Sequence, residues 1–207
     1  MTFFKKNFWI LFVIYTRYAL GGAIVFASII KIKGNRFTTN SGEDYPINSA
    51  WHMFETLYQS GLFWEFIGWS QLVVGALLMT QKWAKLGALL CFPITLNIFI
   101  ITLSYYFAYT PVITGMMLLA NLLLLAWDWQ ELKSLINIKP IFKPRERLEY
   151  ESVWALTGLL LFLFTVIYRI SVKRYDLFLW LIVCFLIGIS GLIYGYIKHR
   201  KISIEYN

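Results

Sequence analysis

Eight side chains hold most of the chemistry this sequence offers: Arg17, Lys31, His52, Glu55, Glu65, Gln71, Asn97 and Asn121. Arg17 stands nine residues into the apolar run FWILFVIYTRYALGGAIVFASIIKI, residues 8–32. A permanent charge at that depth of a bilayer costs about 3 to 10 kcal/mol or more, so it must face other protein and be answered there. Counted from the inner ends of their runs, Arg17, Gln71 and Asn97 lie at a common depth of about 14–17 Å, and Asn121 is shallower. Glu65 is the one acidic residue inside an apolar run. It lies about 9 Å farther out than Gln71, where an arginine leaning outward would meet it.

Two readings of this constellation stay open. One is an interhelical clamp, with Arg17 held by Glu65, Gln71, Asn97 and free carbonyls. The other is a pocket open to the outer side, in which Arg17 and Lys31 bind an anionic or carbonyl-bearing ligand beneath a lid carrying His52 and Glu55. Metal binding is not indicated: His52 and Glu55 share a helix face, but the second histidine, His199, belongs to the tail. Nor is there a nucleophile with a base and an orienting group, or a glycine-rich phosphate loop. Cys91 and Cys184 fall singly within apolar runs and read as packing residues.

The elements that position these groups are membrane helices. Leu86 to Trp127 contains no Asp, Glu, Lys or Arg over 42 residues, about 63 Å as helix and hence two crossings of a ~30 Å hydrocarbon layer. The same criterion gives further spans at Phe8–Ile30, Leu62–Gln81, Val153–Tyr168 and Leu177–Ile197, with the middle pair near 86–107 and 110–127. The expected fold is an all-α membrane protein of six transmembrane helices. Only 14% of residues are charged and the mean hydropathy is +0.63, which excludes an ordinary soluble domain. The net charge of +8 is spread between spans and forms no basic face for nucleic acid. Placing both termini in the cytoplasm puts twelve Lys and Arg inside and six outside. The first run is too long for a signal peptide and reads as an uncleaved helix.

Organisation follows from the breaks. Residues 1–136 form a four-helix unit whose outer loop, 33–61, contains SAWHMFETLYQSG, a short helix capped by Asn48 or Ser49 and lying at the interface or over the bundle mouth. Ala50, Met53, Phe54 and Leu57 occupy one face of that helix, and His52, Glu55 and Gln59 the other. Residues 137–152 read as a charged cytoplasmic linker, and 153–207 as a two-helix hairpin with a basic tail. In the last span Gly188, Gly191 and Gly195 form a face nearly without side chains, a site for close packing by the neighbouring helix or by a partner protein.

On the first two spans Arg17, Gly21, Ile24, Ser28 and Lys31 form one stripe, and Gly61, Glu65, Gly68, Gln71 and Gly75 another. RYALGGAIVFASIIK (17–31), FIGWSQLVVGALLM (66–79) with the basic turn that follows, and NIFIIT (97–102) together make residues 9–136 resemble the DoxX-like family of membrane proteins. The resemblance implies a four-helix membrane core in a bacterial inner membrane. Relatives include a membrane subunit associated with thiosulfate:quinone oxidoreduction, so it also implies a quinone or another amphipathic ligand. Many relatives carry glutamate where this chain has Gln71, so a carboxylate role there would pass to Glu65. The resulting expectation is an inner-membrane protein with an interior polar pocket for a quinone or lipid-like ligand, serving a redox or envelope process and at most a membrane subunit of an oxidoreductase. The alternative is a non-catalytic assembly scaffold. Transport is least favoured, since only Pro93 interrupts a span.

Overall fold

The computed structural model describes residues 3–106, 108–139, 148–172, 174 and 176–205. Half of the proposed linker, 140–147, and the end of the basic tail lie outside the described residues or side chains. The helices are α1 (Phe3–Ile32), α2 (Ala50–Gln59), α3 (Leu62–Met79), α4 (Ala84–Ser104), α5 (Thr110–Trp127), α6 (Trp129–Leu132), α7 (Ser152–Ser171) and α8 (Leu177–Glu205). Among the described residues, six of them are long and apolar enough to cross a membrane. Their lipid-facing sides are dense with exposed Leu, Ile, Phe and Trp, as expected where the solvent is hydrocarbon.

The spine is α1. Its Val13, Leu20 and Ile24 join Val74, Leu78, Ala88, Cys91 and Leu124 in a core shared with α3, α4 and α5. Leu11, Ile14 and Tyr18 join Trp154 and Leu161 in a second core with the α7–α8 hairpin. Small residues set the closest approaches. A Cβ on Gly21 would stand 3.1 Å from the Gly75 carbonyl, and one on Gly68 would stand 2.9 Å from the Lys31 Cβ, so α1 and α3 pack along the two stripes read from the sequence. Gly158 of α7 sits so close to α3 that a Cβ there would land on the Met79 carbonyl oxygen.

The glycine face of α8 is covered by this chain itself. A Cβ on Gly188 would meet the Tyr15 ring at 3.3 Å, one on Gly195 would meet Trp154 at 2.9 Å, and Gly191 lies against Thr157. Tyr15 also donates a 2.7 Å hydrogen bond to the Gly188 carbonyl. The expectation of a protein partner through these glycines is therefore corrected: α1 and α7 occupy that face.

Candidate functional site

The buried cations separate into two sites at opposite ends of the bundle. One lies toward the end carrying the termini, the other toward the end carrying the 33–61 loop.

Toward the termini, Arg17 is 1% exposed, its Nη2 donates to Asp128 Oδ2 at 2.9 Å, and its Nη1 donates to Gln81 Oε1 at 3.0 Å. Asp128 caps the end of α5, and Gln81, with φ +62°, forms the left-handed corner between α3 and α4. The expected partners Glu65, Gln71 and Asn97 are not the ones used. A helical side chain is thrown toward its own N-terminus, so the guanidinium leans away from Glu65 and reaches the ends of α3 and α5 instead. Glu65 is exposed in the first turn of α3, where a carboxylate suits the positive end of the helix dipole. Asn97 is exposed on the outward face of α4. Asn121 is fully buried and donates to the Ala88 carbonyl at 3.0 Å, one residue before the Leu89 carbonyl that Pro93 leaves without its helical donor. This end is a tie between four helices. The open groove beside it, about 330 Å³ between α1 and α5, is lined by Trp9, Phe12, Val13, Leu123, Ala126 and Trp127 and is almost entirely apolar.

Toward the loop, Lys31 is 7% exposed at the end of α1. Its Nζ donates 2.7 Å to its own helix at the Ala27 carbonyl and stands 5.2 Å from each of the Phe37 and Trp64 rings. Among the described residues no carboxylate pairs with it, and the charge that acts on it is of like sign, from Arg169. The Arg169 guanidinium lies 4.4 Å over Phe26, and its Nε donates to the Phe26 carbonyl. Lys33 caps the end of α7 at the Arg169 and Ile170 carbonyls. One turn inward from Gly68, Gln71 is buried, and among the described residues its Oε1 has no partner.

α2 forms as the capping pattern predicts, with Ser49 Oγ accepting from the His52 backbone N–H at 3.2 Å, and it adjoins Lys31 through the loop residue Phe37. Phe54 of α2 packs at 5.8 Å on Phe37, which in turn faces Lys31. Glu55, expected on the polar face of this helix, is buried. Arg36 grips it through both Nε and Nη2 at 2.9–3.0 Å, and the Gly42 N–H adds a third donor at 3.1 Å. This set of donors, Arg36 first, holds the Glu55 carboxyl below the usual carboxylate range. Gln59 Nε2 adds a longer contact to Oε1 at 3.5 Å, and Glu55 is thus a latch for the cover. His52 is half-buried, and among the described residues its Nδ1 has no partner.

Of the residues singled out from sequence, Lys31 and Gln71 both lie along the α1–α3 seam, where Gly68 packs on Lys31 and Gly75 on Gly21, while Arg17 and Asn121 belong to the tie. Sequence reasoning missed Gln81, Asp128, Phe37, Trp64, Arg36 and Arg169 as partners. Two of these carry a visible signal: Asp128 ends the charge-free run, and Arg169 stands near the end of an otherwise apolar span. Comparison with protein-family models, with curated proteins and with solved structures gives no match for this chain.

Proposed function

We propose that this chain is a DoxX-like protein of the bacterial inner membrane, with both termini cytoplasmic. In this reading it holds a small amphipathic ligand, a quinone or lipid-like molecule, as a membrane subunit of a redox or envelope process. The polar head of that ligand is assigned to Lys31, and Arg17 is assigned to structure.

The observation that carries the reading is the ammonium of Lys31, more than nine-tenths buried with no carboxylate paired to it among the described residues. An ammonium has three N–H donors, and one of them is used within its own helix. The remaining donors suit a carbonyl or an anionic headgroup, and the unpaired Gln71 Oε1 supplies an acceptor for a hydroxyl. Phe37 and Trp64 give the apolar walls such a ligand needs.

The test is equilibrium binding of a short-chain quinone and of a short-chain anionic phospholipid to the detergent-solubilised protein. Lys31→Met is expected to weaken whichever compound binds by about ten- to hundredfold, the worth of a hydrogen bond from a charged donor. Equal affinity in wild type and variant would remove the assignment.

A further inference from the structure

The face of α4 that looks away from the bundle carries a second pattern. Leu86, Leu90, Pro93, Asn97, Ile100 and Ser104 are all exposed and follow one another at steps of four and three. That is the spacing of a left-handed helix seam, and in it Asn97 takes an a position. The apolar members of the seam are at ease against acyl chains. Asn97 is not.

Asn97 lies three residues beyond the centre of the 21-residue helix, only about 5 Å from its midpoint and so within the hydrocarbon layer. Among the described residues its carboxamide has no hydrogen-bond partner. No water is present at that depth to supply one. An amide transferred to hydrocarbon without a partner is penalised by about 4–8 kcal/mol.

We infer that the chain forms a parallel homodimer across α4, with the two Asn97 side chains hydrogen-bonded to each other at its centre. A carboxamide carries both donors and an acceptor, so it is complementary to itself. Copies inserted in one membrane share an orientation. A twofold axis along the membrane normal therefore brings Asn97 opposite Asn97 at the same depth, and Ser104 opposite Ser104 two turns farther out. Asparagine at a single a position is the residue that fixes register in two-stranded seams. This inference is independent of the ligand assigned to Lys31.

The experiment uses the full chain in native membranes. Ser104→Cys in a Cys184→Ser background, which keeps Asn97, is oxidised with copper phenanthroline and compared with Leu119→Cys in the same background, Leu119 being 66% exposed on the adjacent helix α5. A disulfide-linked product at twice the 24.3 kDa chain mass is expected for Ser104→Cys and not for Leu119→Cys. In liposomes, energy transfer between labelled copies is expected to need about three- to thirtyfold more protein per lipid for Asn97→Leu than for wild type, the range spanned by hydrogen bonds between membrane helices. The inference is overturned if the two cysteines cross-link equally, if Asn97→Leu associates as tightly as wild type, or if the cross-linked product contains a different protein.

Discussion

Replacing Asp128 by Ala tests the tie at Arg17, because it leaves a guanidinium that is 1% exposed with only the neutral Gln81 oxygen for an answer. Unit charges about 4 Å apart at an effective dielectric near 20 attract by ~4 kcal/mol. Removing one partner of a buried pair typically destabilises by about 3–5 kcal/mol, since the other charge is stranded. At about 2–4 °C per kcal/mol for a chain of this length, the midpoint of thermal unfolding should fall by roughly 6–20 °C. The assay is loss of the monodisperse species in mild detergent, followed by circular dichroism and size exclusion. The double variant Arg17→Met with Asp128→Leu removes both charges and should recover most of the loss, because an apolar pair of similar volume is often neutral in such a position. An Asp128→Ala protein that melts with wild type, or a cycle with coupling near zero, would refute the claim that this ion pair anchors α5 to α1.

Other outcomes follow from the same geometry. Gly158→Ala should destabilise by about 1–3 kcal/mol and loosen the α7–α8 hairpin, because its methyl lands on the Met79 carbonyl; thermal unfolding and protease accessibility at 152–205 report it. The Glu55 carboxyl is held below its ordinary value by Arg36. The latch is therefore fully effective above the unfolded carboxylate pKa of about 4.3 and is lost as pH falls through the lower folded value. Protection from hydrogen exchange across 36–59, taken relative to the unfolded chain at each pH, should thus be flat from pH 7 down to about 5 and fall below about 4, whereas Glu55→Gln should be weakly protected throughout; a cover equally protected at pH 3 and pH 7 would contradict this. Gly191→Leu should displace Thr157 and separate α7 from α8 rather than release a partner, and pull-down composition unchanged alongside a lower melting point would agree with that.

Much of this arrangement is written in the sequence, and the failures share one cause. The charge-free run from Leu86 to Trp127 divides where Tyr105 to Tyr109 interrupt α4 and α5, because the run is simply too long for one crossing. Ser49 announces α2 through its cap. Gly21, Gly68 and Gly75 mark the α1–α3 contact because close backbone approach leaves a residue-size signature. What the sequence does not encode is direction. In lipid the outward face of a helix is as apolar as the inward one, so periodicity cannot say which side of α4 meets the bundle. The assumption that polar residues turn inward succeeds at Arg17, Gln71 and Asn121, and fails at Asn97 and Glu65. The run starting at Phe8 also hides the true beginning of α1 at Phe3, and depth counted from a hydropathy boundary does not reveal which way a long side chain leans.

The most direct test of the account is the small-molecule content of the gently solubilised protein, measured by mass spectrometry per mole of chain in two variants side by side. Lys31→Met should lose the co-purifying amphipathic molecule, while the charge-free pair Arg17→Met with Asp128→Leu should keep it. The reverse pattern, with Lys31→Met fully loaded and the Arg17 variant empty, would return the ligand to Arg17 and contradict the separation of binding site from structural tie.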